Sequence, residues 1–340
     1  MTMRNSDQAN QIKTGILPIM VMIVVFIYLW LVIRAWPNTW DDSAITLAFS
    51  RNLARLGDIV PTALTPRVEG YSSFLWMMIN AAFFRVGYSS EAVLTIAKIL
   101  SSFFAVANIV MVWKLIQARV ITPIYQIGLL CLYAINSYTI ASAVDGMETS
   151  LYALLVLLSF LIFKKRASTP LNQVLFCLAT TLLILIRHEG PLFILPFGLV
   201  LLYEKRTKIF LEPCIYFWAA VFFSYHAWHF AFFGEWLTNP MLAKRHWPYR
   251  PEFENFSIIS TFYLTPFFDF LFRYIGLVIL LAASNLYIAV YRLQYHASDR
   301  NLLLVSISVV SLFIMSITGS NWGAAARLSY PGLPFLFLLL

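Results

Sequence analysis

The chain is 340 residues long, 60% hydrophobic and only 12% charged, which excludes a soluble globule because so few polar groups cannot screen that much apolar surface from water. Its formal net charge of +8 would fit nucleic acid, but the basic residues sit in short links between apolar runs and not on aromatic-interleaved polar stretches, so nucleic acid is excluded as a partner and membrane orientation is indicated instead. Several apolar runs approach the roughly twenty residues of a spanning helix, so 1–340 reads as one all-α integral membrane domain, a polytopic helical bundle in contact with membrane lipid. Cys131, Cys177 and Cys214 lie inside apolar runs without CxxC spacing or an even count, which implies packing and no disulfide framework or zinc site.

The first run follows a polar start with Arg4 and Lys13 and lacks a small-residue cleavage site, so it reads as a retained span over 15–34. Further spans are predicted at 92–113, 120–143, 148–163, 171–187, 190–203, 211–233, 272–291, 301–318 and 328–340. The basic links at 114–119, 164–166, 205–208 and 292–300 are separated by two apolar runs each. Short Lys/Arg-rich links stay cytoplasmic, so the turns at 145–148, 187–190 and the long segment 234–260 fall on the outer side. Parity then requires that 71–86, after an outer loop over 37–70, does not cross but lies at the outer interface as a juxtamembrane helix, anchored by Tyr71, Trp76 and Arg85. The last run stops among apolar residues with no polar flank, which predicts that more chain follows.

In this frame the ionisable residues gather at one depth. Ionisable groups beside hydrocarbon are costly unless paired or wetted, so such a gathering marks a candidate site. Each member also has a plain structural reading as an interfacial salt bridge or helix cap. Asp41 and Asp42 follow the first span and precede a helix expected over 43–56, with Gly57 as its C-cap. An N-cap role explains one Asp comfortably and two less well. Paired carboxylates suit a general base, a divalent cation, or both, and mutual repulsion is expected to raise the proton affinity of one. Arg67, Glu69 and Tyr71 close the same loop, as a salt-bridged turn or as anion and sugar recognition. Glu148 in Gly-Met-Glu-Thr, and Arg187, His188 and Glu189 before Gly190, repeat the theme at two other turns. Glu235 and Asn239, followed by Lys244, Arg245, His246 and Trp247, form a basic and aromatic cluster suited to a phosphate and a sugar or isoprenoid. His226 and His229 have i, i+3 spacing that permits a metal, although interfacial packing beside Trp228 is the commoner use.

The ordered set Trp-Asp-Asp, Arg-Val-Glu-Gly-Tyr-Ser-Ser-Phe-Leu-Trp, Gly-Met-Glu-Thr, Arg-His-Glu-Gly, Gly-Glu-Trp-Leu-Thr-Asn and finally Gly319, Trp322, Arg327, Pro331 and Pro334 resembles the GT-C superfamily of membrane glycosyltransferases. The match is nearest the branch that contains the mycobacterial terminal beta-arabinofuranosyltransferase and its bacterial relatives. It runs from Trp40 to near the end of the chain. Thr238 and Pro240 stand where that branch usually has Pro and Thr, His188 where it has Pro, and Asn321 where it often has Asp. The resemblance implies a GT-C bundle in a bacterial plasma (inner) membrane, with its active site on the extracytoplasmic face. It further implies a polyprenyl-phosphate-linked sugar as donor, pentosyl (arabinofuranosyl) or hexosyl (mannosyl), and a glycan or lipid of the cell envelope as acceptor. On this reading Asp41 is the general base of an inverting transfer. Asp42 and Glu69 orient the sugar or share a divalent cation, and Lys244, Arg245 and Arg327, then Arg187, neutralise the leaving phosphate. A non-catalytic binding or assembly subunit of the same fold, which the Asn321 departure keeps open, and a lipid-linked-sugar transporter or flippase are the rival readings. Transporters place their polar groups near the midplane on broken helices, whereas these lie at one surface.

Overall fold

The computed structural model describes residues 17–39, 41–118, 121–163, 165–205, 210–236, 307–308, 310 and 330–338. Among these there is no strand. The helices, in chain order, are α1 (Leu17–Ala35), α2 (Asp41–Leu56), α3 (Phe74–Val86), α4 (Ser90–Gln117), α5 (Pro123–Ala134), α6 (Ser137–Val144), α7 (Thr149–Phe163), α8 (Pro170–Ile186), α9 (Gly190–Lys205), α10 (Pro213–Phe233) and, after a single 3-10 turn at Tyr330–Gly332, α11 (Leu333–Leu338). The spans expected at 272–291 and 301–318 fall outside the described residues, apart from Ile307, Ser308 and Val310.

α1 shows how these sequences bury one stripe and leave the rest to lipid. Val24, Tyr28 and Val32, spaced i, i+4, i+8, are buried, whereas Met22, Phe26, Trp30 and Ile33 are exposed. Large exposed apolar side chains continue around α8 (Leu171, Val174, Leu178) and α9 (Leu195, Leu199, Leu202), giving an outward apolar surface that belongs in hydrocarbon. α1 and α4, at 19 and 28 residues, are long and apolar enough to cross a membrane singly. The chain is a multi-pass membrane protein.

α7 is the central helix and is buried along most of its length, with α4, α8 and the Tyr330–Gly332 turn packed around it. Phe163, Phe176 and Phe197 interlock there with ring centroids 5.4 to 5.6 Å apart. Cys177 of α8 and Cys214 of α10 sit side by side as free thiols, as packing residues should.

Three boundaries differ from the sequence expectation. The run 120–143 is not one straight span but the pair α5 and α6, bent by 49°. The break falls at Ile135 and Asn136, where the Asn136 side chain accepts the Tyr138 N–H at 2.9 Å and so starts a new helix. The helix expected from residue 43 begins at Asp41, so both aspartates lie inside its first turn rather than ahead of it. The helix expected over 71–86 begins only at Phe74, because the Ser73 hydroxyl caps it by accepting the Trp76 N–H, and it ends at Gly87 in a left-handed C-cap. Tyr71 and Trp76, expected as interfacial anchors, are wholly buried instead. Arg85 donates to the Ala54 carbonyl at 3.0 Å. These residues fasten α3 to the rest of the protein, because α2 and α3 pair as a hairpin with the Ser50 hydroxyl bonded to the Met77 carbonyl at 3.0 Å.

The two ends of the bundle carry different chemistry. At one, Arg166 pairs with Glu204 and Lys205 with Glu212, joining the basic links after α7 and α9. At the other, the α1–α2 linker, the α2–α3 hairpin, the α6–α7 turn, the α8–α9 turn and the end of α10 converge.

Candidate active site at one end of the bundle

The α6–α7 turn is the hub of this end. Gly146 has φ +70, and a Cβ there would crowd the Leu94 side chain at 3.2 Å while meeting Lys98 and Ser43 at ordinary contact, 3.7 and 3.8 Å, so glycine suits the backbone conformation first and the space second. Its carbonyl accepts the Trp76 indole N–H at 3.0 Å, tying the turn to α3, and the Met147 carbonyl accepts the Ser101 hydroxyl of α4 at 2.8 Å. Asp145 closes the turn on itself, with one carboxylate oxygen on the Met147 N–H at 2.8 Å and the other on the Thr149 hydroxyl at 3.1 Å. Ser43, in the first turn of α2, lies against this hub, which brings the helix start that bears Asp41 and Asp42 alongside it.

Two turns that the sequence shows as separate motifs meet here. Glu148 reaches Arg187, and the Arg187 Nε also donates to Glu189 at 3.1 Å. The guanidinium is 1% exposed and Glu148 0%, so the cluster is dry, with fully buried Tyr152 beside it. The local fold demands Gly190, since a Cβ there would stand 1.6 Å from the Leu183 carbonyl oxygen; only a bare Cα lets α9 start so close to the end of α8. His188 is half-buried in the same turn.

A second pair closes the loop after α2 onto α10. Glu69 Oε2 lies 2.9 Å from His229 Nε2, and His229 Nδ1 lies 2.8 Å from the Glu235 carbonyl. Glu235 thus contributes its backbone, while the residue itself is exposed. His226 instead turns back onto the Phe222 carbonyl of its own helix at 2.8 Å, so the two histidines do not act as a pair. Around Glu69 stand Tyr71, Tyr225 and Phe74, with Phe74 and Trp228 ring centroids 5.1 Å apart. Burial, and next the Glu69 carboxylate, push the Tyr71 phenol far above its usual range, so it remains a neutral O–H. Arg67 does not pair with Glu69: its Nε donates to both oxygens of Asp58 at 3.0 and 3.1 Å, with the guanidinium 4.3 Å from the Phe232 ring centroid.

Asp41 is exposed and Asp42 half-buried, and the Asp42 N–H donates to the Asp41 carboxylate at 2.9 Å. Neighbouring helix positions do not face one another, so the two side chains diverge and would not grip a divalent cation without further donors. Among the described residues no three His, Cys, Asp or Glu side chains are grouped to hold a metal. Trp40, Asn239, Lys244, Arg245, His246 and Arg327 lie outside the described residues. Sequence reasoning passed over Lys98, whose single charge is averaged away within an apolar run, and Asp145, read only as part of a turn.

The described residues define a fold class: an all-α polytopic membrane protein. The structure is similar to that of ArnT from Cupriavidus metallidurans bound to undecaprenyl phosphate, with a TM-score of 0.54 over 93% of this chain and 15% sequence identity. This chain spans 59% of that protein's length. At this identity the likeness is one of fold, and it does not reach as far as the arabinofuranosyltransferase branch. No family model matches the sequence, and no curated protein matches it.

Proposed function

We propose that this protein transfers a sugar from a polyprenyl-phosphate donor to an acceptor hydroxyl at the extracytoplasmic face of a bacterial inner membrane. The observation that carries the reading is the gathering of Asp41, Asp42, Glu69, Glu148, Arg187 and Glu189 at one end of the bundle. An exposed carboxylate, Asp41, stands there at a helix start beside a tightly bonded hub, in a fold shared with a protein solved with undecaprenyl phosphate. A polyprenyl phosphate keeps its tail in hydrocarbon and its head at the interface, and a site at a bundle end meets it at that depth.

Asp41 takes the proton of the acceptor hydroxyl as the oxygen attacks the anomeric carbon. The new C–O bond forms as the bond to the donor phosphate breaks from the opposite face, and the phosphate leaves with the electron pair. The product is inverted and no covalent enzyme intermediate forms. General-base help of this kind is worth typically ~10²–10⁴-fold, and the rest comes from positioning and from cations on the leaving phosphate. Lys244, Arg245 and Arg327 are assigned that role. Arg187 stands apart from it, since its guanidinium is enclosed by Glu148 and Glu189. Asp42 orients the sugar.

The test supplies radiolabelled polyprenyl-phosphate arabinose and mannose to the purified full-length protein with crude envelope lipid and glycan, with and without EDTA. Transfer from one donor, lost in a folded Asp41→Asn variant that still binds it, is the expected result. Transfer retained by that variant overturns the base assignment, and no transfer from any donor despite binding points to a non-catalytic subunit.

A further inference from the structure

We propose that Lys98, in the third turn of α4, is the positioning residue that sets the place of the Asp41 carboxylate. The inference rests on the reading of Asp41 as the base. Lys98 is 5% exposed on α4, and its Nζ lies 2.9 Å from the Trp36 carbonyl, 2.8 Å from the Asn38 carbonyl and 2.8 Å from the Thr39 hydroxyl oxygen. Three acceptors at these distances match the three N–H bonds of an ammonium. The ammonium therefore wraps three of the four residues between the end of α1 at Ala35 and the last described residue of the linker, Thr39. Nζ is also 5.6 Å from the Trp36 ring centroid.

That linker leads directly to Asp41, at the first position of α2. The stem of Lys98 reaches the hub as well, where its Cγ would lie 3.7 Å from a Cβ on Gly146, next to Ser43 of the same first turn of α2. One side chain thus ties the rigid α4 to the segment that sets where α2 starts. A simple helix fastener would need only one bond to a neighbouring helix. Lys98 places all three on the non-helical linker, adding to the linker's own turn bonds from the Trp36 N–H to the Ile33 carbonyl and from the Asn38 N–H to the Ala35 carbonyl.

The test compares wild type with Lys98→Met and with the milder Thr39→Val, which removes one acceptor and leaves the ammonium. Hydrogen exchange of the peptide covering 36–42 is read in each, and kcat and KM are measured with whichever labelled polyprenyl-phosphate sugar the wild type consumes. The expected result is faster exchange confined to 36–42, with kcat down by about 10²-fold in Lys98→Met, the scale of a roughly 1 Å misplacement. Donor KM stays unchanged, and Thr39→Val moves the same way by less. Unchanged exchange at 36–42, or a kcat equal to wild type, overturns the proposal. If Lys98→Met fails to fold, Thr39→Val carries the same two readouts. Asp41→Asn run in parallel separates the two ideas: transfer retained there removes the base, while the exchange readout still decides whether Lys98 holds the linker.

Discussion

Glu69 and His229 stand 160 residues apart in the chain and 2.9 Å apart in the fold, carboxylate Oε2 against imidazole Nε2, with both side chains 1% exposed. The other ring nitrogen faces the Glu235 carbonyl at 2.8 Å, and a carbonyl oxygen only accepts, so Nδ1 carries a hydrogen. The contact between Nε2 and Oε2 then needs one bridging proton, because two bare lone pairs would repel. The pair fastens the loop after α2 to the end of α10 and to the start of the segment that follows it.

Removing one partner leaves the other buried without compensation, a loss that runs to about 3–5 kcal/mol for enclosed ion pairs. Glu69→Ala and His229→Ala are each expected to lower the unfolding temperature of the detergent-solubilised protein strongly. The double variant should cost clearly less than the sum, since the residues share one interaction. Additive losses would show that the two side chains act independently.

The Glu148–Arg187–Glu189 cluster makes a related prediction with a different sign structure. Arg187→Met strands two carboxylates in a dry site and is expected to destabilise by about 3–5 kcal/mol, whereas Glu148→Gln keeps an acceptor for the guanidinium and should cost less. Thermal unfolding of the two variants side by side ranks them. A larger loss for Glu148→Gln would mean that the guanidinium needs the Glu148 charge more than the two carboxylates need the guanidinium.

Gly190 and Gly128 form a matched pair for testing backbone approach. A Cβ on Gly190 would overlap the Leu183 carbonyl at 1.6 Å, while one on Gly128 meets nothing within 4 Å. Gly190→Ala should therefore fail to accumulate as folded protein. Gly128→Ala, in the helix α5, should be tolerated or gain up to about 1 kcal/mol from reduced chain entropy. Fluorescence-detected size exclusion of the two variants in detergent distinguishes them directly.

Trp76 offers a finer probe of the hub. Trp76→Phe keeps most of the buried ring but leaves the Gly146 carbonyl without its donor, which costs about 1–3 kcal/mol when an acceptor is stranded. Because the hub carries the first turn of α2, the same variant is expected to slow sugar transfer as well as lower the unfolding midpoint. Unchanged turnover with lowered stability would separate the hub from the catalytic geometry.

The bundle class and the lipid-facing surface were legible in the sequence. Each is a property of composition or of the alternation between apolar runs and basic links, which hydrophobic burial and membrane electrostatics act on segment by segment. The start of α6 was also within reach, since Asn136 before Ser137 is a helix-start signal, but the apolar residues on both sides made a single span the simpler reading. Tertiary structure alone decided which polar groups meet. Arg187 and Glu148 look like members of two separate turns 39 residues apart, and Glu69 has a nearer basic neighbour in Arg67, which turns instead to Asp58. Lys98 reads as one stray charge in an apolar helix until the fold wraps the Trp36–Thr39 linker around it. A buried charge takes its partners from whatever helix packing brings within about 3 Å, and local spacing carries no record of that choice.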